Sequence, residues 1–511
     1  MMRRCFQAAL SALLLVAAFP PLSVAAAAFF ALVPLFFAVR GLGPRRAFVV
    51  GLVNGTLFYA GTVYWVVVAM HRYGGMPLAA SLVPALALFV YLGLYHGVFA
   101  LALARGGRLI EGPPGLVVIP ALWTTLEFLR GKLFTGFPWS VLGYSQVPFL
   151  PLVQIADITG VWGVSFLVVA VNVAVWRLID RYGSGRGRLP AVELACALAL
   201  LTTVAAYGFI RISAVLEAVE GWEKVETAVV QGNIEQTLKW DLDYRRATVE
   251  TYRRLSLEAA RRGARLVVWP ESAVPFYLDG DRELGPVVKA LPAETGAVIV
   301  TGAPAAERDG AGGYRYFNSA YVLDAGGVAA RYDKFHLVPF GEYVPLRKVL
   351  FFVDKLAHGV GDFTPGRGPF PVRAGPLRLG VIICFEAIFP DISAALARNG
   401  AQLLVNLTND AWYGRSSAPY QHLALSLMRA VETRTYLVRA ANTGISAVID
   451  PAGRVMDRRE IFEEGLIVEP VGIREGAPSF YAARGDVFAW AAAAVTALWL
   501  VAVAAGFERR L

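Results

Sequence analysis

Charged side chains are scarce in this chain of 511 residues, and hydrophobic side chains are abundant. Asp, Glu, Lys and Arg together make up 17% of the residues, whereas an average soluble domain has about 25%. Hydrophobic residues make up 56%. This balance excludes an ordinary water-soluble protein and indicates a membrane protein, and the length indicates more than one domain.

Cysteine and histidine are also rare, with three and five residues respectively. Cys5 and Cys196 fall in apolar runs, so Cys384 has no disulfide partner in the more polar part of the chain. The histidines are scattered and no pair has the spacing of metal ligands, so we predict no metal. The sequence also lacks a glycine-rich phosphate loop of the Walker type, and we predict no cofactor.

Eight apolar runs are candidate membrane spans, since a span needs roughly 20 mainly apolar residues. The first could instead be a cleaved signal peptide, because Arg3 and Arg4 precede an apolar core that ends in small residues. We favour a retained span, because the second run follows directly after Pro20 and Pro21. The eight runs cover residues 5–19, 21–39, 47–70, 78–104, 115–129, 155–176, 191–211 and 488–507.

Three parts of the chain follow from this distribution. Residues 1–212 are predicted to form a bundle of about seven spans. Residues 213–483 have the charge and the Gly and Pro turns of a domain that faces water. Residues 484–511 are predicted to form a last span and a short tail.

Basic residues between the spans predict which way the chain crosses the membrane, because Lys and Arg mark cytoplasmic loops. Only Arg72, Arg130 and Lys132 lie in the loops of one side. We therefore predict that both termini are cytoplasmic and that residues 213–483 lie outside. The net charge of +9 follows from this topology, so we predict no nucleic-acid partner. The thirteen basic residues of the other side are Arg3, Arg4, Arg40, Arg45, Arg46, Arg105, Arg108, Arg177, Arg181, Arg186, Arg188, Arg509 and Arg510.

The outer domain alternates short apolar runs with amphipathic segments. The runs are almost continuously apolar, as expected for strands that are covered on both faces, so we predict an α/β sandwich. In such sheets, functional groups collect beyond the carboxyl ends of the strands. Helices are predicted at 244–263, 387–399 and 418–439, and strands at 224–233, 264–272, 296–304, 316–327, 377–386, 401–410 and 443–455.

Three polar residues follow predicted strands: Glu271 after "LVVWP", Lys334 after "GGVAARYD" and Cys384 after "LGVII". A nucleophilic thiol needs a base, and acyl transfer needs a cation or N–H donors for the oxyanion, so these residue types fit together. A lone thiol in an oxidising compartment is also a candidate reactive group. Each residue has an alternative role: Glu271 could satisfy loop amides, Lys334 could be a solvated charge, and Cys384 could be core packing.

Longer motifs make the pattern specific. "WPES", "RYDKFHLVPFGEYVP" and "GVIICFE" occur in this order and resemble the Glu-Lys-Cys motifs of the nitrilase superfamily. Together with the spans, "GFPWSVLGYSQ" (136–146), "VVQGNIEQTLKWD" (229–241) and "NLTNDAWYG" (406–414) resemble its membrane-bound branch, the apolipoprotein N-acyltransferase family. The resemblance covers nearly the whole chain. It implies a multi-pass α-helical membrane bundle and an α/β nitrilase-like domain, a four-layer αββα sandwich.

The resemblance also implies roles by position. Cys384 matches the nucleophile, Glu271 the general base, and Lys334 the cation that stabilises the oxyanion. Glu235 stands where the family often has Pro, and Phe385 stands where it often has Tyr, so a hydroxyl is missing there. The supporting or substrate-binding residues implied in the same way are Glu342, Glu386, Trp240 and Phe385.

The implied reaction moves an acyl chain from a membrane phospholipid, with phosphatidylethanolamine expected as donor, onto Cys384 as a thioester. The acyl chain then passes to the free α-amino group of the diacylglyceryl-cysteine of an apolipoprotein, which gives a triacylated lipoprotein. We expect a monomer in the bacterial inner membrane, with the catalytic domain on the periplasmic side. The apolar loops at 134–152 and 346–363 are interpreted as lids or arms that dip into the membrane, or equally as segments that pack against the spans.

Two alternatives stay open. One is a membrane-anchored nitrilase-type amidase, although a hydrolase of soluble amides needs one anchor and not eight spans. The other is a non-catalytic lipoprotein-binding or transport protein with a degenerate nitrilase domain. The presence of Glu271, Lys334 and Cys384 argues against this second alternative.

Overall fold

A computed structural model describes residues 1–110, 112–183, 190–239, 241–309, 312–345 and 363–506. Trp240 and most of the apolar loop at 346–363 therefore lie outside the described residues. The chain divides into two compact units. The first comprises Met1–Val67, Leu78–Ser213 and Arg484–Leu511, and the second comprises Val68–Pro77 and Ala214–Ala483.

The first unit is helical. Among the described residues, four helices are long and apolar enough to cross a membrane, or five if the bent pair Pro44–Thr62 and Trp65–Tyr73 forms one span. The other apolar helices are shorter than a full span, so the count of eight spans stays a prediction. The helices of this unit are α1 (Met2–Ala17), α2 (Val33–Val39), α3 (Pro44–Thr62), α4 (Trp65–Val68), α5 (Leu78–Arg105), α6 (Gly115–Arg130), α7 (Leu150–Val153), α8 (Ala156–Thr159), α9 (Val161–Gly183), α10 (Ala191–Glu220) and α16 (Val487–Ala504).

Helices α3 and α5 pack closely because glycines with the spacing of a small-xxx-small motif face each other. A Cβ atom on Gly51 would lie 2.3 Å from the main-chain oxygen of His96, and one on Gly55 would lie 2.7 Å from the Cα of Gly93. Asn54 adds polar contacts, since its amide donates to the main-chain oxygen of Ala8 at 2.9 Å and its Oδ1 lies 2.8 Å from His96 Nδ1. The contacts pair α3 with α5 and also bring α1 against α3.

The apolar loop at 134–152 packs within the first unit. Trp139, Val141 and Leu142 are almost fully buried. The buried guanidinium of Arg130 donates from Nη1 to the main-chain oxygens of Phe137 and Trp139, both at 2.6 Å. Packing against the helices is therefore what the structure shows for this loop.

In its described residues, the second unit contains twelve strands and five α-helices. The strands are β1 (Lys224–Gln231), β2 (Leu266–Val268), β3 (Val298–Arg308), β4 (Tyr314–Asp324), β5 (Gly327–Asp333), β6 (Val372–Ala374), β7 (Leu377–Ile383), β8 (Leu403–Thr408), β9 (Leu437–Ala441), β10 (Ser446–Ile449), β11 (Val455–Arg459) and β12 (Gly465–Gly472). The helices are α11 (Arg245–Arg261), α12 (Leu284–Thr295), α13 (Pro390–Arg398), α14 (Ala418–Thr433) and α15 (Phe480–Arg484).

The strands form two six-stranded sheets. One has the order β12-β1-β2-β3-β4-β5 and the other the order β11-β10-β9-β8-β7-β6. Each sheet contains three adjacent parallel strands, β1-β2-β3 in the first sheet and β7-β8-β9 in the second. Their carboxyl ends therefore lie together at one edge of each sheet, where side chains can meet.

The two sheets pack face to face, and helices cover the outer faces. Helices α11 and α12 lie on the first sheet, and α13 and α14 lie on the second. Val230, Trp269 and Ile299 belong to the apolar core between the first sheet and its helices. This arrangement is the four-layer αββα sandwich that the resemblance implied.

Two predicted elements are placed differently in the structure. The helix predicted at 418–439 ends at Thr433, because Arg434 has φ 52° and turns the chain, and β9 follows. The strand predicted at 443–455 is in fact the two strands β10 and β11, which a turn at Pro451 separates. The first error arises because apolar residues continue beyond Thr433, and periodicity alone does not reveal the chain reversal. The second arises because the predicted strand runs across Asp450, Pro451 and Gly453, which are typical of a turn.

Candidate active site

The first sheet brings Glu271 and Lys334 together at the ends of its strands. Glu271 is the third residue after β2, and Lys334 directly follows β5. Lys334 Nζ lies 3.7 Å from Glu271 Oε1 and 2.9 Å from Glu342 Oε1. All three side chains are largely buried, with Lys334 only 1% exposed. The structure thus places three of the predicted site residues in one cluster of charges.

Asn318 joins the two carboxylates, and the sequence did not single it out. It lies in β4, and its Nδ2 donates to Glu271 Oε1 at 2.8 Å and to Glu342 Oε1 at 2.7 Å. A buried amide that donates to two carboxylates orients both of them, because a hydrogen bond to a charged acceptor is stronger than a neutral one. The sequence gives only a weak signal, an amide next to Ser319 in the middle of a predicted strand.

The charge of Lys334 is stabilised by its neighbours. Burial alone would lower the pKa of this ammonium, but Glu342, Glu271 and Cys384 together raise it above its usual value. Lys334 is therefore a fixed cation at neutral pH. Glu342, which pairs with Lys334 through Oε1, is itself held in place, because its Oε2 accepts a hydrogen bond from the main-chain N–H of Val338 at 2.7 Å.

Cys384 lies at the end of β7, in the second sheet, and is 7% exposed. Its φ is 49°, a left-handed conformation that an L-residue adopts at a cost of about 1–3 kcal/mol. The strained residue lies at the sharp turn between β7 and a short helical turn. Its thiol is close enough to Glu271 and Lys334 for their charges to shift its pKa. A strained non-glycine residue at this point favours a functional role for the thiol over simple core packing.

The thiol of Cys384 is protonated at rest. Burial raises its pKa well above the usual value and the charge of Glu271 raises it further, whereas Lys334 and a hydrogen bond with Thr408 lower it only in part. If Cys384 is the nucleophile, as predicted, it is thus not a standing thiolate, and a base has to take its proton at the moment of attack. Among the nearby carboxylates, Glu271 raises the pKa of Cys384 most strongly.

Glu386 is fully buried and connects the loop at Lys334 to the turn at Cys384. Its Oε1 accepts from the hydroxyl of Tyr332 at 2.9 Å and from the main-chain N–H groups of Phe335 and His336 at 2.7 and 3.1 Å. Its Oε2 accepts from the N–H of Ile383 at 2.7 Å. Burial raises the pKa of Glu386 to about 7, although these donors and Lys334 oppose the rise. Glu386 therefore fixes the loop that carries Lys334 relative to the turn that carries Cys384.

Phe385 packs in an aromatic cluster beside Cys384. Its ring centroid lies 5.9 Å from that of His336 and 5.2 Å from that of Phe389. A tyrosine hydroxyl is absent at this position, so the side chain contributes apolar packing instead of a hydrogen bond. Trp240, predicted near the substrate path, lies outside the described residues.

A buried polar network supports the main chain of Cys384 from the other side. His422 Nε2 lies 3.1 Å from the main-chain oxygen of Cys384, and His422 Nδ1 lies 2.9 Å from Asp410 Oδ1. Arg439 Nη2 donates to Asp410 Oδ2 at 2.7 Å. Although burial opposes ionisation, Arg439 and His422 hold the pKa of Asp410 below its usual value. The sequence showed Asp410 within a family motif but did not show its partners.

The cluster contains the kinds of group that acyl transfer needs. Within the described ranges, no three His, Cys, Asp or Glu side chains are grouped as ligands for a metal. The arrangement instead offers a carboxylate that can take a proton, a fixed ammonium that can hold an oxyanion, and a thiol that can attack a carbonyl carbon.

Two family models match parts of this chain. Residues 11–174 match the family described as "Apolipoprotein N-acyltransferase N-terminal domain", and residues 226–474 match the family described as "Carbon-nitrogen hydrolase". Among solved structures, an amidase from Nesterenkonia sp. is similar over 52% of this chain and 92% of its own, at 22% identity and a TM-score of 0.38.

Two relatives are similar over almost their whole length. The chain is 44% identical to a protein of Geobacter metallireducens over 99% of this chain and 96% of the relative. It is 36% identical to a protein of Methylococcus capsulatus over 93% of this chain and 91% of the relative. Both relatives are named apolipoprotein N-acyltransferase. Identity at this level over nearly the full length establishes the family, and the chain therefore belongs to the apolipoprotein N-acyltransferase family.

Proposed function

We propose that the protein transfers an acyl chain from a membrane phospholipid to the α-amino group of an apolipoprotein's diacylglyceryl-cysteine, through a thioester on Cys384. The observation that carries the proposal is the buried cluster of Glu271, Lys334 and Glu342, in which the charges of Glu271 and Lys334 act on the thiol of Cys384. The names of the relatives supply the acceptor class, and the site supplies the chemistry.

In the first half-reaction, Glu271 takes the proton of the Cys384 thiol as the sulfur attacks the ester carbonyl carbon of the phospholipid. Negative charge develops on the carbonyl oxygen and is held by Lys334 together with a main-chain N–H near Phe385. The bond from the carbonyl carbon to the glycerol oxygen breaks. Glu271 returns the proton to that oxygen, the lysophospholipid leaves, and an acyl thioester remains on Cys384.

In the second half-reaction, the free amine of the lipoprotein attacks the thioester carbonyl carbon. Glu271 takes a proton from the attacking nitrogen, and Lys334 again faces the developing oxyanion. The bond from carbon to sulfur breaks, Glu271 returns a proton to the sulfur, and an amide is formed. Conversion of a thioester to an amide is downhill, so the exchange needs no nucleotide.

Membrane association of the protein accords with the lipid character of both substrates. An acyl chain leaves a bilayer at a cost of about 0.8 kcal/mol per CH₂ group, so the enzyme has to meet its substrates at the membrane. We propose that residues 213–483 form the catalytic domain on the periplasmic side of the bacterial inner membrane, with both termini in the cytoplasm. We further propose that a monomer acts and that phosphatidylethanolamine is the donor.

Mass spectrometry of the intact protein tests the thioester directly. The wild-type protein would be mixed with phosphatidylethanolamine in detergent micelles, beside Cys384→Ala and a matched control, Cys196→Ala, which alters an exposed thiol of the first unit. We expect a mass increase of one acyl chain in the wild type and in the control, none in Cys384→Ala, and its removal by neutral hydroxylamine.

Two other outcomes would change the proposal. Release of free fatty acid without transfer to a diacylglyceryl peptide would favour a hydrolase, in which water replaces the amine. Retention of full lipid turnover by Cys384→Ala would exclude the thioester route.

A further inference from the structure

A second buried lysine contacts the main chain of the proposed general base. Lys239 lies in the turn that follows β1 and is 1% exposed. Its Nζ donates to the main-chain oxygen of Glu271 at 3.0 Å, and among the described residues no other hydrogen bond of this ammonium is found. An ammonium has three donors and is seldom buried without a strong reason. Lys239 does not directly follow a predicted strand, and the hydrophobic pattern does not indicate a role for it.

The contact falls on a strained part of the main chain. Ser272, the next residue after Glu271, has φ 49°, a left-handed conformation that an L-residue keeps only where the surroundings hold it. Lys239 is one of these restraints, because its hydrogen bond fixes the peptide that links Glu271 to Ser272. The orientation of the Glu271 side chain depends on that peptide.

The turn that carries Lys239 is itself anchored to the second sheet, which also carries Cys384. Gln236 accepts a hydrogen bond from Asn409 Nδ2 at 2.7 Å, just after β8. Ile234 exchanges two hydrogen bonds with the side chain of Asn442, just after β9, at 2.9 and 2.8 Å. Lys239 is thus held in a fixed position relative to both the base and the nucleophile.

The charges around Lys239 define its electrostatic role. Burial lowers the pKa of Lys239 to about 8, while the charges of Glu271 and Cys384 oppose the shift, so the ammonium is mainly protonated near neutral pH. On its own turn, Glu235 is exposed and hydrogen-bonds to Thr237. Lys239 therefore adds a second positive charge beside the cluster in which Lys334 neutralises part of the negative charge of Glu271 and Glu342.

We propose that Lys239 is a positioning residue for the general base: it fixes the main chain at Glu271 and adds a second cation to the pocket in which the Cys384 thiolate forms. The inference rests on the proposed roles of Glu271 and Cys384. It assigns no bond-making step to Lys239, which acts through Glu271 and through its charge.

The test uses the full-length protein with Cys5→Ala and Cys196→Ala, so that Cys384 is its single thiol. Lys239→Met removes the charge and the donor, and Lys239→Gln removes the charge but keeps a donor for the Glu271 oxygen. The matched control is Lys289→Met, since Lys289 pairs with Asp279 on the surface of the same domain. Two rates would be measured from pH 6 to 9: acylation of Cys384 by phosphatidylethanolamine in one turnover, and its alkylation by iodoacetamide.

We expect Lys239→Met to slow acylation by about thirtyfold or more, since a displacement of about 1 Å costs about a hundredfold. We expect both Lys239 variants to need higher pH for alkylation, because loss of a nearby positive charge disfavours the thiolate. Lys289→Met should change neither rate. A purely structural role would lower the amount of folded protein without moving the alkylation profile.

Acylation within twofold of the wild type, with superimposable alkylation profiles for both Lys239 variants, would overturn the inference. If Lys239→Met fails to melt cooperatively, Lys239→Gln decides by the same two criteria. Absence of acylation in the wild type removes the proposed function, and the inference falls with it. Normal acylation by the wild type, together with unchanged rates in both Lys239 variants, would contradict the role of Lys239 and leave the proposed function intact.

Discussion

Gly302 in β3 offers a precise perturbation of the proposed base without any change to a polar group. The main chain of Pro270, Glu271 and Ser272 passes directly over this glycine. A Cβ atom at position 302 would lie 2.4 Å from Ser272 N, 2.7 Å from Glu271 Cα and 2.7 Å from Pro270 O. All three atoms belong to the backbone, so no flexible side chain can move aside.

The size of the effect follows from these distances. Ordinary contact begins at 3.4 Å, so an alanine at 302 has to displace the chain at Glu271 by about 1 Å. Overpacking of this kind destabilises a protein by about 1–3 kcal/mol. A displacement of about 1 Å in a catalytic group lowers the rate by about a hundredfold. We therefore expect Gly302→Ala to reduce the acylation rate far more than it reduces the fraction of folded protein.

Acylation of Cys384 in one turnover and thermal melting of the same samples measure the two effects. Gly280→Ala is the matched control, because its Cβ atom would meet its nearest neighbour, Tyr277 Cβ, at 3.4 Å. We expect this control to acylate like the wild type. An acylation rate for Gly302→Ala within twofold of the wild type, at equal folded fraction, would refute the link between this close approach and the position of Glu271.

Three further changes test other parts of the site. Lys334→Met breaks a buried ion pair and should lower the unfolding free energy by about 3–5 kcal/mol. Adding Glu342→Gln should recover part of the melting temperature but not the acylation rate, and recovery of the rate would contradict the role of Lys334. Asn318→Leu removes the donor that two carboxylates share, so acylation in one turnover should slow at least about tenfold. An unchanged rate would show that the shared donor is dispensable. Because burial raises the pKa of Glu386 from 4.5 to about 7, its contribution to stability is complete below pH 4.5 and is lost as the pH rises through 7. Melting temperatures across that window should fall for the wild type and stay flat for Glu386→Gln, and equal slopes would exclude this titration.

Much of the fold follows from local patterns in the sequence. The runs at 224–233, 377–386 and 401–410 contain β1, β7 and β8, because continuous apolar segments of this length suit strands that are covered on both faces. The end of α14 was not predictable in this way. The segment from 434 to 439 is as apolar as the helix before it, and only the left-handed Arg434 reverses the chain.

Sequence patterns could indicate a site residue only where a chemically reactive residue type follows a predicted strand. Glu271, Lys334 and Cys384 stand at strand ends, and their residue types suggest a reaction. Asn318 and Lys239 act through partners on other strands, and no local pattern identifies a partner that lies 32 or 47 residues away. Sequence patterns show which residues are reactive, whereas the residues that orient them depend on how the sheets are assembled.

The split of the site between the two sheets has a consequence for biosynthesis. The carboxylate of Glu271 and the ammonium of Lys334 belong to one sheet, and the thiol of Cys384 belongs to the other. No local piece of nascent chain therefore carries both Cys384 and Glu271. Under the proposed mechanism, a newly made polypeptide does not react with lipid esters until the sandwich closes, so we predict that acylation of Cys384 also reports that the domain has folded.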